Sequence, residues 1–320
     1  MRPEGGTDRR RPLFRRRPGE QGGPVTDNTD STDNNAEDPL VVVGAGVMGT
    51  AIAALAVGHG HPVRLIDHSP EACAAAPERI ELHLRTARMM GALPAGGRLG
   101  RLTTAGTPDA AAGAAAVIEA VTEDPGEKAA VLAELAAAVR PGTLLVSNTS
   151  GVPIEEMAGA VPHPEDLVGV HFMNPAYLIR TVEVILGPRS GAAAATAVRE
   201  LLAGLGREGI VVGDGPGFVT SRLLHRMLND AIEVVREGRA GPETVDALMR
   251  HCIGHRTGPL ATADLIGLDN LADSLRVLHE RTGDAAFRPS ELLLEKVRRG
   301  ELGRKSGRGF YTYDYEEITP

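Results

Sequence analysis

The sequence predicts an α/β protein: a Rossmann-type, doubly wound, mostly parallel sheet followed by an all-helical C-terminal domain. Three observations point to this. The stretch Asp38–Thr50 reads as a short apolar strand, then glycines spaced G-x-G-x-x-G, then a helix. From Leu40 to about Gly215, apolar runs alternate with helical periodicity, the pattern of a parallel sheet covered on both faces. After the linker Gly213-Asp214-Gly215-Pro216-Gly217 the periodic segments are all helical.

At 320 residues the chain has material for two domains and a large core. Its 42% hydrophobic and 24% charged content is that of an ordinary soluble globular protein. The net charge of −8 argues against a general nucleic-acid binder. Cys73 and Cys252, the only cysteines, allow neither C-x-x-C chemistry nor a disulfide framework, which fits a reducing cytoplasm. No apolar run is long enough to span a membrane.

Residues 1–38 read as a disordered tail, rich in Pro, Gly, Asp, Asn and Thr, with little to bury. Arginine runs at 9–11 and 15–17 precede an acidic stretch, and no apolar segment follows them as a secretory signal requires. A start codon placed upstream of the true one near Val25, or a basic arm for RNA or an acidic partner, is also compatible with this composition. The strand runs that follow are 40–43, 63–66, 116–119, 143–147, 167–171, 181–186 and 209–212. Helical patterns lie at 49–59, 70–91, 127–139, 153–159 and 191–205. Together they make a dinucleotide-binding domain over 39–215. In the domain 216–320, Leu223, Leu224, Met227, Leu228, Ala231, Ile232 and Val235 recur at three-to-four spacing and give one apolar face. Gly238 and Gly241-Pro242 end that helix, and further helices fit 242–252, 260–280 and 290–299.

Each glycine of the fingerprint has a mechanical task. Gly44 turns the chain off the strand, Gly46 lets a diphosphate approach the backbone, and Gly49 lets helix and strand pack closely. Val47 and Met48 complete the loop, whose helix N-terminus offers free N–H groups to phosphates. A second strand ends in Asp67. A carboxylate there accepts hydrogen bonds from the adenosine ribose and repels a 2′-phosphate, which selects NAD over NADP. Ligands of such sheets bind beyond the carboxyl ends of the strands, where this chain carries Gly44, Asp67, Glu123, Asn148 and His171.

Further motifs follow in order. They are E-A-V-T-E-D at 119–124, S-N-T-S at 147–150, G-V-H-F-M-N-P at 169–175 and V-E-V-I at 182–185. P-G-F-V-T-S-R-L-L at 216–224 and L-G-R-K-S-G-R-G-F-Y at 302–311 complete the series. In this order they resemble the 3-hydroxyacyl-CoA dehydrogenases, over about residues 39–314. The resemblance implies that His171 is the catalytic base and Glu183 its paired carboxylate. It implies that Ser150 and Asn174 are the polar groups around the reacting oxygen and the nicotinamide. Glu123, Lys128 and Asn148 match cofactor contacts, and no residue matches a metal ligand. It also implies a homodimer paired through the helical domain, whose apolar faces one layer of helices does not fully cover.

The residue types suit the reaction. Alcohol oxidation removes a proton from oxygen and a hydride from carbon. A histidine titrates near neutrality and can take the proton. A buried carboxylate behind it fixes the tautomer and stabilises the imidazolium, and Glu183 in an apolar strand would be costly without such a partner. A lone strand-end histidine is more often structural; the company of Ser150, Asn174 and Glu183 in family order is what singles out His171. Two positions depart from the family. Ser221 replaces an asparagine that contacts substrate, and Met173 replaces an aromatic residue. These variations resemble a subgroup that oxidises a 3-hydroxyl on a small acyl group, such as glyceryl, held by an acyl carrier protein. Its products are hydroxy- or methoxymalonyl extender units for polyketides. Arg304, Lys305 and Arg308 form either a phosphate-steering cluster or a solvated loop that closes the helical domain. Two other functions share the architecture: a dehydrogenase of a free hydroxy acid, of the gulonate or carnitine type, and a non-catalytic NAD-binding sensor.

Overall fold

The computed structural model describes residues 38–313, so the predicted tail lies outside it apart from Asp38. The chain forms two compact units. Among the described residues, one comprises 38–149 together with Ile154–Asp214; the other comprises Ser150–Pro153 and 215–313.

The first unit is an eight-stranded sheet with helices. Its elements are β1 (Leu40–Val43), α1 (Val47–Gly58), β2 (Val63–Ile66), α2 (Pro70–Met89) and β3 (Leu102–Ala105). Next come β4 (Ala116–Glu119), α3 (Pro125–Ala138), β5 (Leu144–Ser147), α4 (Ile154–Ala158) and β6 (Leu167–His171). The unit closes with β7 (Thr181–Leu186), α5 (Ala192–Gly204) and β8 (Glu208–Gly213). The strand order is β3-β2-β1-β4-β5-β6-β7-β8. Strands β1 to β6 are parallel, β7 runs antiparallel to β6, and β8 follows β7. The order reverses between β1 and β4, the switch point where dinucleotides bind.

Central strands are buried on both faces, which is why β1 reads Leu-Val-Val-Val without alternation. Caps fix the helix starts that border the ligand edge. The Ser69 hydroxyl accepts the Ala72 N–H at 3.1 Å with Pro70 following, and the Asp124 carboxylate accepts the Glu127 N–H at 2.8 Å with Pro125 following. Asp214 accepts the N–H groups of Ile154 and Glu155, both at 2.9 Å, and so anchors short α4.

The second unit holds α6 (Thr220–Arg236), α7 (Pro242–Ile253), α8 (Pro259–Ile266), α9 (Leu268–Thr282) and α10 (Glu291–Arg298) around their own core. Leu228 and Ile232 of the predicted α6 stripe are fully buried, whereas Leu223 at its start is 66% exposed. Two expectations change. Strand β3, absent from the sequence reading, is a half-exposed edge strand of sequence Leu-Thr-Thr-Ala, too polar to stand out as an apolar run. The single helix expected over 260–280 is two helices, broken at Gly267, whose φ of +98° no other residue adopts readily. Among the described residues no helix is long and apolar enough to cross a membrane.

Candidate active site

The glycine loop has the form its sequence requires. Gly44 has φ +100°, and a Cβ there would fall 2.5 Å from the Ala120 carbonyl oxygen. A Cβ on Gly49 would run into the Gly44 carbonyl. Gly46 differs: nothing lies within 4 Å of its Cβ position. That open space lies at the N-terminus of α1, which no side chain caps, and suits an anionic group met by main-chain N–H donors. Val47 is exposed and Met48 half-buried beside it.

Asp67 closes the loop from the end of β2. Its carboxylate accepts the Ala45 N–H at 2.6 Å and the Ser69 N–H at 2.8 Å. Two main-chain N–H groups, one of the loop and one of the adjoining turn, are thereby held by one carboxylate, at the position where a ribose diol is bound in such folds. Glycine cradle, bare helix end and carboxylate fit a dinucleotide.

On the other side of the switch point, β4 ends in Glu119 and the following turn carries Glu123. The Glu123 side chain is 43% exposed; one oxygen lies 3.1 Å from the Lys128 ammonium and the other accepts the Thr149 hydroxyl at 2.6 Å. Lys128 itself has no exposed surface and donates to Glu119 at 2.8 Å. The structure therefore places Lys128 behind Glu123 rather than on the surface where it could touch a cofactor directly. Burial alone would push its pKa down, but the Glu119 and Glu123 carboxylates hold the ammonium above the ordinary lysine range.

β6 and β7 bring the expected acid–base pair together. Their antiparallel register sets His171 opposite Glu183, and His171 Nδ1 lies 2.9 Å from Glu183 Oε2, with side-chain exposures of 8% and 7%. A neutral ring in this setting carries its proton on Nδ1, which makes Nε2 the basic nitrogen. Asn148, at the end of β5, accepts the Phe172 N–H through Oδ1 at 3.1 Å and so fixes the backbone next to His171. Asn174 is exposed and precedes Pro175. Ser150 and Ser221 belong to the second unit, where Ser221 lies buried in the first turn of α6.

Sequence reasoning did not single out Glu119, Ser147 or Thr149. The signal available was one carboxylate at the end of an apolar strand, Ala116-Val117-Ile118-Glu119, which must find a partner.

In the second unit the expected basic cluster is paired. Lys305 lies 2.6 Å from Asp269, Arg308 lies 3.5 Å from Glu301, and the Arg304 guanidinium stacks over Tyr313. Buried Asp264 accepts the Phe310 and Tyr311 N–H groups at 2.9 and 3.0 Å and the Tyr313 hydroxyl at 3.0 Å. Gly303 and Gly309 press against Asp264, where a Cβ would clash. Gly303, Gly309, Phe310 and Tyr311 of the Leu302–Tyr311 motif thus close the loop on Asp264.

A dinucleotide cradle and a histidine–carboxylate pair at the same sheet edge define a nicotinamide-linked oxidoreductase. Comparison with known proteins gives the particular family. Residues 39–215 match the model of the 3-hydroxyacyl-CoA dehydrogenase NAD binding domain, and residues 217–313 match that family's C-terminal domain. A probable 3-hydroxybutyryl-CoA dehydrogenase of Bacillus subtilis is 40% identical over 88% of this chain and 98% of its own. The crystal structure of (S)-3-hydroxybutyryl-CoA dehydrogenase from Ralstonia eutropha superposes with a TM-score of 0.80 at 34% identity, covering 86% of this chain and 99% of that one. A 5-formyl-3-hydroxy-2-methylpyridine 4-carboxylate 5-dehydrogenase of Mesorhizobium japonicum is 32% identical over 87% of this chain and 91% of its own. The chain belongs to the 3-hydroxyacyl-CoA dehydrogenase family, and its cofactor is NAD.

Proposed function

We propose that this protein oxidises the 3-hydroxyl of a 3-hydroxyacyl thioester, with His171 as general base and Glu183 as its paired carboxylate. The single observation that supports this most is the buried 2.9 Å hydrogen bond between them. Bound NAD supplies the hydride acceptor. The chain's own groups do the rest. His171 Nε2 takes the hydroxyl proton, and Glu183 compensates the imidazolium that results. Asn148 holds the segment after His171. Ser150 and Asn174 take the polar contacts around the reacting oxygen and the nicotinamide. Gly44, Gly46, Val47, Met48 and Gly49 take the diphosphate, and Asp67 and Glu123 take ribose hydroxyls. Lys128 acts behind Glu123, and Ser221 contacts the acyl thioester.

The finer substrate reading is an acyl group, such as glyceryl, on an acyl carrier protein, in the making of a polyketide extender unit. Ser221 and Met173, where the family has Asn and an aromatic residue, support it. Turnover of 3-hydroxybutyryl-CoA against a glyceryl-carrier-protein thioester tests it; a preference for the carrier-bound substrate is expected, and equal or better use of the CoA ester overturns that choice. A second reading, a free hydroxylated acid or aldehyde as substrate, draws on the likeness to the pyridine-carboxylate dehydrogenase. Turnover of a free hydroxy acid that exceeds every thioester would establish it.

A homodimer fits the helical unit. Leu223, Met227, Ala231 and Val234 of α6 line an open apolar groove with Val245 and Met249 of α7. Sedimentation is expected to give twice the chain mass at micromolar concentration; a monomer overturns the assignment.

A further inference from the structure

We propose that Glu119 is a positioning residue: through Lys128 and the turn it terminates, it fixes the Glu123 carboxylate at the cofactor edge. Its side chain has no exposed surface and touches no position open to substrate. Yet three elements converge on it. One oxygen accepts the Lys128 ammonium of α3 and the Val121 N–H of its own turn, both at 2.8 Å. The other accepts the Ser147 hydroxyl at the end of β5 at 2.6 Å. Lys128 also donates to the Val121 carbonyl at 3.3 Å. Both polar groups of Val121 are therefore held by a single ion pair.

Such a pair is expensive to bury. Taking both charges out of water offsets most of their attraction, and an apolar pair of similar volume would serve stability as well. What the pair provides here is placement. Ala120 packs against Gly44 and its N–H is donated to the Val43 carbonyl at 2.7 Å, so the turn that Glu119 shapes forms one wall of the glycine cradle. Lys128 spans from Glu119 to Glu123, and Thr149 holds the opposite Glu123 oxygen. One ammonium between two carboxylates leaves net negative charge, at the outer, half-exposed member. A carboxylate held in one orientation accepts hydrogen bonds from a diol without first losing rotamer freedom.

The inference rests on the reading that Glu123 meets a ribose of NAD, and its test separates the two. NADH dissociation constants are measured by fluorescence titration of the purified protein, with melting temperature in parallel, for E123Q, E119Q and the double variant. We expect about tenfold weaker binding for E123Q and at least about threefold for E119Q, the range of a lost or misaligned charge-assisted hydrogen bond. In the double variant binding is expected to be no weaker than in E123Q, because Glu119 acts through Glu123. Wild-type affinity in E119Q, or effects that multiply in the double variant, overturn the inference. Wild-type affinity in E123Q overturns the reading of Glu123 and the inference with it, and is recognisable as such. If E119Q does not fold, E119Q/K128M, which leaves no unpaired buried charge, takes its place in the same cycle with the same expected outcomes.

Discussion

Buried carboxylates organise both units, but in different company. In the sheet unit, Glu183 and Glu119 face groups that carry or accept a proton, His171 and Lys128. In the helical unit, Asp246 and Asp264 face main-chain amides and tyrosine hydroxyls. Asp246 accepts the Leu260 and Ala261 N–H groups and the Tyr311 hydroxyl, at 2.8 to 2.9 Å. A carboxylate satisfied by amides is a fixed knot; its partners do not change charge at any ordinary pH. A carboxylate set against a titratable base acts on the chemistry of that base. The same residue class thus ties down main chain in one unit and pairs with titratable side chains in the other.

The sharpest break in this comparison is expected at His171. H171A should lower turnover by about 10²- to 10⁴-fold and leave NADH affinity near wild type, with a lower melting temperature because buried Glu183 loses its partner; turnover within threefold of wild type would remove His171 from the chemistry. Next is Asp264. D264A strands three donors, and at about 1–3 kcal/mol for each unsatisfied buried group it should cost several kcal/mol of stability, read as urea midpoint. A negligible shift would mean that the loop closure is not held by this knot. Third is Asp67. D67A should narrow the preference for NAD over NADP by roughly tenfold, measured as the ratio of dissociation constants.

A pH test separates the two kinds of carboxylate further. Lys128 has a folded pKa above its unfolded one, so its contribution to stability is complete below the unfolded lysine value of about 10.4. That contribution is lost as pH rises through the higher folded value. The stability of wild type relative to E119Q/K128M should therefore fall at high alkaline pH, and a constant difference contradicts the charge state assigned to Lys128. The smallest effect is expected at Arg308, whose ion pair with Glu301 lies at the surface. R308A should change stability by no more than about 1 kcal/mol and leave KM for a thioester unchanged. A raised KM would give the basic loop the phosphate-steering role in place of the closing one.

How far the sequence speaks depends on the range of the interaction. The glycine loop was legible because each glycine answers to a local steric demand. His171 and Glu183 were legible through the order of their motifs, which resembles that of the family; a polar residue at the end or in the middle of an apolar strand needs company but does not by itself say which residue supplies it. Strand β3 was hidden because an edge strand that packs on one neighbour can dispense with apolar residues. The break at Gly267 was hidden because one glycine inside a continuous helical period gives no sign of its φ. The Glu119–Lys128–Ser147 cluster joins positions 9 and 28 residues from Glu119, and no periodicity within one element reports such a meeting. Lys128 shows the same limit: its position along the chain was evident, but its complete burial was not.

The reversal between β6 and β7 has a consequence for how this enzyme can change. His171 and Glu183 sit opposite each other on one antiparallel ladder, so main-chain bonds rather than side-chain packing fix their alignment. Residues 172–180 join the two strands outside that ladder. Insertions or deletions in this connection can remodel the approach to the site while the His171–Glu183 pair keeps its register. A one-residue slip inside β7 would turn Glu183 to the opposite face of the sheet and separate the pair at once. New substrate preferences are therefore best sought by grafting connections of different length onto an untouched ladder.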